Sequence, residues 1–433
     1  MKLRLPNANS FSHAWSALRH RNFRLFFWGQ SISLLGTWMT RLATAWLVYR
    51  LTHSALLLGI VGFSSHILAF VLAPFAGVWI ERMDRRKLIV WTQIVAAIQS
   101  LAMAALTLTH RITIWEIVAL SALQGVVNGF DLPARQSFLV HMVDGKADLG
   151  NAIAINSSMA NAGRLVGPAI AGLVVAAFGE GWCFLIDGLS YLPVIASLLA
   201  MRLHSIPAAR AKSSMVHQMR EGWQFVRDFP PIRTILLLFS LVSLMGYPYS
   251  TLLPIFAGQV LHGGPHTLGW LSAASGVGAL TSGISLTLRK SAAGLTRMIA
   301  LAVAIFGVSL MLFGLSRWLW LSLLLMFFAG FGMIQAASAS NTVIQTLVPE
   351  DKRARVMSFY TMAFVGSAPF GSLLAGSLAH WIGAPITVTL TGSCVLAGSV
   401  YFALQLPQLH AIIHPIYREK GILPAMEALQ PAK

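Results

Sequence analysis

An all-α integral membrane protein, with twelve transmembrane helices in two pseudo-symmetric six-helix bundles and both termini cytoplasmic, is the fold class this sequence predicts. Three observations predict it. The chain has 433 residues, of which 56% are hydrophobic and only 10% charged; that is the composition of a polytopic membrane protein rather than of soluble domains. Its bases gather in short segments between apolar runs, the pattern that orients spans in a bilayer. A set of glycines in the first half also recurs in the second at a nearly constant offset, as internal duplication in transport proteins produces.

Residues 1–24 read as a basic cytoplasmic tail, because no small-residue cleavage site follows a short apolar core. A span needs about 20 apolar residues. Such windows fall at approximately 25–49, 55–80, 88–108, 113–133, 151–178 and 182–201, making a first bundle over 25–201. They resume at 234–260, 267–288, 296–315, 318–345, 355–380 and 384–405, making a second bundle over 234–405. The polar stretch between them, 202–233, is a cytoplasmic middle loop, and 406–433 is a cytoplasmic tail. Within the middle loop Met219, Trp223 and Val226 recur at helical spacing beside Arg220, Glu221 and Arg227. That pattern describes a short helix on the inner membrane face or, alternatively, a regulatory or partner-binding helix.

All but five of the 31 Lys and Arg lie in segments this topology makes cytoplasmic; the five are Arg41, Arg50, Arg111, Arg164 and Arg317. The net charge of +17 is therefore a topology signal, not a phosphate-binding surface, and nucleic acid is not an expected partner. Cys183 and Cys394 both sit in apolar runs and read as packing residues. The histidines, His13, His20, His53 and His66 among them, lack metal-ligand spacing, so no metal is expected. No Ser-His-Asp, phosphate-loop or cytochrome pattern is present, and neither an enzyme nor a cofactor is expected.

The repeat is carried by glycines. One offset takes Gly167 to Gly371, Gly172 to Gly376 and Gly179 to Gly383, and one residue more takes Gly125 to Gly330. Gly163, Gly167 and Gly172 also leave the fifth span a small-residue face that permits close packing.

The densest charge cluster lies between the second and third spans, where Gly77, Glu81, Arg82, Asp84, Arg85, Arg86 and Lys87 fall within residues 77–87. It resembles the loop motif of the major facilitator superfamily: glycine, three residues, an acid, arginine, two residues and paired bases. Asp84 stands where that superfamily usually has glycine. Asp tolerates the left-handed backbone that such a turn uses better than most residues do. After Gly283 the second-half copy is degenerate, with Thr287 for the acid and only Arg289 and Lys290 remaining. The resemblance extends through Leu18 to Arg24, Gly36-Thr37-Trp38-Met39-Thr40-Arg41, Asp131-Leu132-Pro133-Ala134-Arg135-Gln136, Asn151 to Ser157, Asn161 to Pro168, and Glu221-Gly222-Trp223. Over roughly residues 18–405 the chain is similar to the branch that includes the enterobactin exporter and macrolide-efflux proteins. Gly163 to Pro168 also partly resembles the fifth-helix motif of drug antiporters. The resemblance implies a major facilitator fold, a central cavity lined by the first, fourth, seventh and tenth helices, export, and protons as the driving ion.

The residues support part of this on their own. The loop charges can simply orient the protein, or they can form a cytoplasmic latch in which Arg85 reaches Asp131 and Glu81 sits at the start of the eleventh helix, favoured there by the helix dipole. Asp131, Arg135 and Pro133 either end the fourth helix with solvated charges or supply the latch partner. Arg164 lies deep in an apolar helix and is expected to pair with backbone carbonyls or with an acid from the cytoplasmic side. Gly167 and Pro168 complete that motif.

For ion coupling the candidates are Arg41 with Glu116, or Arg41 with Asp187, on the outer side; the plain alternative is interfacial residues that snorkel to water. Ser121 occupies the position three residues before Gln124-Gly125, where many proton-coupled drug exporters have arginine. Cavity candidates are Gln30, Ser33, Thr37, Trp38, Gln124, Asn128, Tyr247, Tyr249, Gln335 and Asn341, each of which can equally be a helix-packing residue. As a set they suit an amphipathic or aromatic compound. Pro248 and Pro254 should bend the seventh helix. The expected protein is a monomeric, multi-pass exporter in a bacterial inner membrane whose partners are a small-molecule substrate, protons and the bilayer. The alternatives are a lysophospholipid or lipid flippase on the same fold and a receptor or scaffold without transport.

Overall fold

The computed structural model describes residues 16–143, 146–201, 215–287, 294–420 and 422. The tail up to residue 15, residues 202–214, Arg289 and Lys290, and the side chains of Gly77, Glu81, Arg82 and Met219 lie outside the described residues. Within them every element is helical. A single 3₁₀ turn, Ser16–Arg19, precedes α1 (Arg21–Thr52), α2 (Ala55–Arg82), α3 (Arg85–Leu108), α4 (Ile114–Leu139), α5 (Lys146–Phe178) and α6 (Glu180–Ala200). Then come α7 (Met215–Asp228), α8 (Pro230–Leu241), α9 (Tyr249–Ile255), α10 (Pro265–Thr287), α11 (Leu295–Leu315) and α12 (Leu319–Leu347). The last three are α13 (Glu350–Thr361), α14 (Ala368–Ile382) and α15 (Ala384–Glu419).

Among the described residues, 10 helical stretches are long and apolar enough to cross a bilayer, with α8 and α9 joined in one and α13 and α14 in another. The helices α1 and α10 have the length but are less apolar: Gln30, Ser33, Thr37 and Arg41 interrupt α1, and Gly, Ser and Thr residues are spread along α10. Large apolar side chains face outward, Trp381 82% exposed and Leu404 72% exposed. Surfaces of that kind are stable against lipid rather than water. Trp115, Trp182 and Trp318 stand at helix starts and Trp381 near a helix end, where amphipathic rings meet the headgroup layer.

Local chemistry sets the helix boundaries. Asp84 is the N-cap of α3, in extended backbone with φ −64°, and its carboxylate accepts from the Arg86 and Lys87 amides at 2.9 and 3.2 Å. Asp therefore replaces the family glycine by capping, not by entering the left-handed region. At the head of α4 the Glu116 carboxylate accepts from the Thr113 amide at 2.7 Å. Pro248 and Pro369 each follow a π-helical turn, at Val242–Gly246 and Met362–Gly366; a further π turn at Phe256–Val260 comes after Pro254. A proline lacks the N–H and crowds the carbonyl four residues back, and the extra residue of the wider turn absorbs that mismatch.

The glycine repeat has a structural meaning. Gly179 and Gly383 both take positive φ, 91° and 81°, and start α6 and α15. A Cβ on Gly172 would stand 3.0 Å from the Gly269 Cα, and one on Gly376 would stand 2.7 Å from the Gly59 Cα. The pairs α5–α10 and α2–α14 thus approach backbone to backbone. Gly167 meets Trp38 of α1, and Gly371 meets the Leu244 carbonyl and Pro248, just beyond α8. Equivalent glycines serve equivalent contacts.

Contacts group the chain into two compact units. The first takes its described residues from Met1–Arg210, Thr251–Gly276 and Ser372–His380. The glycine approaches of α10 to α5 and of α14 to α2 explain why those later segments belong to it. Phe23, Phe26, Ile89, Phe138 and Leu198 form part of its core. The second unit takes Ala211–Ser250, Val277–Gly371 and Trp381–Lys433. In it α11 and α15 pack along small residues, a Cβ at Gly307 falling 2.7 Å from the Leu396 amide, and Ser399 donates to the Ala300 carbonyl at 2.6 Å. The amphipathic α7 docks on α13 through a Glu221–Arg355 ion pair, Gly222 against Phe359, and Trp223 with its ring centroid 6.0 Å from that of Phe359.

The capping role makes a prediction. Asp84→Ala should lower stability by about 0.5–2 kcal/mol, and Asp84→Gly by only a few tenths. Thermal unfolding of the detergent-purified protein reads both; a stabilising glycine would show that the turn wants left-handed backbone instead.

Candidate functional site

One stripe of α1 organises the polar interior of the first unit. Side chains at i, i+3 and i+4 share a helix face, and Gln30, Ser33, Thr37, Trp38 and Arg41 follow that spacing. Gln30 and Ser33 are buried. The Thr37 hydroxyl donates to the Ser33 carbonyl at 3.0 Å, which satisfies it within its own helix. Trp38 lies against α5, where a Cβ at Gly163 would be 3.1 Å from the Trp38 Cδ1 and one at Gly167 would be 2.5 Å from the Trp38 Cβ.

Two guanidinium groups gather on that indole. The Arg41 Cζ is 4.6 Å from the Trp38 ring centroid and the Arg164 Cζ is 5.7 Å. Arg164 was expected to find carbonyls or an acid; among the described residues it forms neither hydrogen bond nor ion pair, because the glycine face of α5 brings Trp38 alongside it instead. A cation over an indole gains about 0.5–2 kcal/mol, whereas a charge at mid-membrane depth costs at least about 2.5–3.5 kcal/mol. The ring alone does not balance the charge.

Asp187, on α6, is 2% exposed. Its Oδ2 accepts from the Thr40 hydroxyl at 3.0 Å and the Ser100 hydroxyl at 2.9 Å. Its Oδ1 has no hydrogen-bond partner and packs on Gly36, where a Cβ would stand 2.7 Å away. Arg41 acts on Asp187, and also on the half-buried His66 of α2, through space. Among the described residues no ion pair joins Arg41 to Asp187. Glu116 is not brought to Arg41 at all, since its carboxylate is used in the α4 cap.

The sequence reading missed Gly36, Thr40, Ser100 and His66 as parts of this site. A signal existed for two of them: Gly36 and Thr40 are one turn apart in the same quoted motif as Arg41. It also missed Arg50 at the end of α1, whose guanidinium grips Glu180 at the start of α6 at 2.7 and 3.2 Å. A base at a helix C-terminus and an acid at an N-terminus each complement the local dipole.

The loop motif is arranged differently from the expected latch. Asp131 is 1% exposed and accepts from Thr92 at 2.9 Å and Gln93 at 2.8 Å, and it is paired with Arg135 one turn along α4. Thr92 lies two turns up α3 from Arg85, about 10 Å along the axis, so Arg85 meets a later residue instead. Its Nη1 donates to the His141 Nε2 at 2.6 Å. Arg86 donates to the Leu199 carbonyl at the C-terminal turn of α6 at 2.6 Å. Around the starts of two other motif segments, Ser16 and His20 contact Asp148 at 2.6 and 2.8 Å, and the Ala17 amide donates to the Asn151 side chain at 3.1 Å.

The remaining cavity candidates fall in both units. In the first, Gln124 donates to Asn128 at 3.3 Å. In the second, Gln335 is fully used, accepting from Ser282 and Ser285 and contacting the Met298 sulfur. Asn341 accepts from Gln345, Tyr249 packs edge-on to Phe306, and Tyr247 packs edge-on to Phe364.

Apolar spans and repeated glycine contacts fit a membrane transporter of the major facilitator class. Solved structures share the fold: a POT family transporter in complex with 5-aminolevulinic acid aligns with TM-score 0.73 at 12% identity, covering 90% of this chain and 96% of that one. The nucleoside transporter NupG aligns with TM-score 0.65 at 15% identity, covering 90% and 99%. The profile of the family described as transmembrane secretion effector matches residues 12–419, and the chain belongs to that family. The staphyloferrin A transporter of Staphylococcus aureus is 25% identical over 385 residues, 88% of this chain and 95% of its own. The multidrug efflux pump Tap of Mycolicibacterium fortuitum is 26% identical, covering 87% and 93%. The enterobactin exporter of Escherichia coli is 25% identical, covering 90% and 93%. The protein is thus a multi-pass membrane transporter of this family, not an enzyme.

The Arg85–His141 contact is pH-sensitive. Burial, and then the Arg85 charge, hold His141 below the usual histidine range. In the pH range below about 6.5 the unfolded chain then binds more protons than the folded one, so stability falls as pH falls. The contribution of neutral His141 is complete above that value and is lost as pH drops through the folded-state value. His141→Gln should flatten the stability slope between about pH 5 and 7, measured by thermal unfolding across that range.

Proposed function

We propose that this protein is a proton-coupled exporter of a bulky amphipathic organic compound, a drug, siderophore or other metabolite. In this reading it is a monomer in a bacterial inner membrane, with twelve spans forming six-helix halves over 25–201 and 234–405. Both termini and the basic loops face the cytoplasm. It works by alternating access. Relatives that are a staphyloferrin A transporter, a multidrug efflux pump, a macrolide efflux protein and an enterobactin exporter support the substrate range.

The observation that carries proton coupling is Asp187. A carboxylate in an apolar helix, with one oxygen held by two hydroxyls and the other unpartnered beside a glycine, changes the charge of the interior whenever it gains or loses a proton. Arg41, near enough to act on it through space, gives that change a second charged group to move. Glu116 has the same chemistry but is occupied in a helix cap, so it has no part in coupling. The loop contacts of Arg85, Arg86 and Asp131 are inner-end contacts that must rearrange during the cycle.

One observation favours a second reading, lipid translocation. An apolar groove of about 440 Å³ runs on the outside of the first unit between α1 and α6, lined by Arg24, Trp28, Ile32, Pro193, Ala196 and Ala200. An acyl chain would fit its floor and a headgroup would reach Arg24.

The test is transport in proteoliposomes under an imposed pH gradient. Asp187→Asn should abolish gradient-driven export, whereas Glu116→Gln should keep it and lower thermal stability only. Full gradient-driven export by Asp187→Asn sinks the coupling assignment. Translocation of a fluorescent lysophospholipid, with no response to organic compounds, selects the lipid reading.

A further inference from the structure

Arg41 and Arg164 are the anomaly that export by itself does not absorb. Each enters the middle of a long helix, and each guanidinium offers five N–H donors. Among the described residues neither donates to any acceptor or pairs with any acid. Both nevertheless gather over one ring, with their Cζ atoms 4.6 and 5.7 Å from the Trp38 centroid, although like charges repel.

The ring cannot withdraw. Gly163 and Gly167 leave just enough room for Trp38 on α5, and its side chain fills the space their Cβ atoms would occupy. The nearby carboxylate does not neutralise the pair. Asp187 has one oxygen engaged by Thr40 and Ser100 and the other against Gly36. His66, the other titratable neighbour of Arg41, adds no negative charge. The group is built by two neighbouring helices of the first unit, α1 carrying Trp38 and Arg41 and α5 carrying Arg164. Arg41 remains exposed, and Trp38 and Arg164 remain half-exposed, which leaves them open to a ligand.

We propose that Arg41 and Arg164, held over Trp38, form the subsite that recognises a carboxylate on the transported compound, with Trp38 taking the planar apolar part beside it. This rests on the exporter reading for the fate of the ligand but not for its binding. The chemistry is specific. A guanidinium fork matches the two oxygens of a carboxylate, two forks favour one anion that both can reach, and an indole face adds contact area for an aromatic ring. Inorganic phosphate has the charge but nothing to lay on the ring.

Calorimetric titration of the full-length, detergent-purified protein tests it with three probes: 2-naphthoate, its neutral amide 2-naphthamide, and inorganic phosphate. Naphthoate should bind at least tenfold more tightly than the amide and more tightly than phosphate. Arg41→Gln and Arg164→Gln should each erase the preference for the acid while leaving amide affinity within about twofold. Trp38→Leu should weaken naphthoate and amide together. Equal binding of acid and amide by the wild type overturns the proposal, as does a preference that survives in both Gln variants, or phosphate binding as tight as naphthoate. Where a Gln variant does not fold, Arg→Lys at the same position replaces it. That change keeps the charge and loses the fork, so the acid preference must fall, and an unchanged preference is again fatal. Wild-type protein that shows the preference yet pumps nothing in proteoliposomes counts against the exporter reading alone; pumping without the preference counts against the carboxylate subsite alone.

Discussion

A Cβ atom takes up room that several helix contacts in this protein do not have. Gly36 lets the Asp187 carboxylate lie against α1, Gly163 and Gly167 let Trp38 lie against α5, and Gly172 and Gly376 bring α10 to α5 and α14 to α2. Inside a bilayer there is no hydrophobic gain from helix association, because lipid tails are as apolar as leucine; close van der Waals contact must supply the attraction. Small residues make that contact possible, and the side chains that fill the vacated space are the ones that carry charge and aromatic surface. The packing constraint and the functional site are the same set of positions.

The charges follow from that packing. Arg50 and Glu180 stand at the ends of adjoining helices, where water and helix dipoles favour them, and they pair closely. Asp131 is deep but completely satisfied by Thr92, Gln93 and Arg135, as a structural buried acid should be. Asp187 is buried with one oxygen unpartnered, whereas Arg41 is exposed and Arg164 half-exposed, both over Trp38. A buried acid without full compensation is costly, and in the proposed function a proton completes Asp187 while a ligand completes the two arginines over the indole. Asp131 and Asp187 thus differ in how fully they are satisfied and not in depth.

Departures from regular helix are just as local. The π-helical turns at Val242–Gly246 and Met362–Gly366 are joined in the second unit, where the Ser243 hydroxyl donates to the Phe364 carbonyl and Phe364 packs on Phe239 and Tyr247. The wider turns widen the helix at prolines that a regular helix would reject.

Much was legible before any coordinates. Apolar runs of membrane length, the basic loops and the glycine offset follow from a period and a length that the bilayer imposes on the chain, so composition and spacing were enough to read the all-helical membrane class, most of the apolar spans and the equivalence of Gly179 with Gly383. The site was only half legible. Arg41, Arg164, Trp38 and Asp187 could be named because a charge or an indole in an apolar helix is conspicuous in one dimension. Their partners could not, since Arg41 with Trp38, Asp187 with Thr40 and Ser100, and Arg85 with His141 are set by which helix faces which and at what axial height. The sequence by itself determined which segments enter the membrane and which residues are out of place there. Tertiary structure alone decided which of those residues meet, because helix rotation and depth depend on the glycine contacts between segments far apart in the chain.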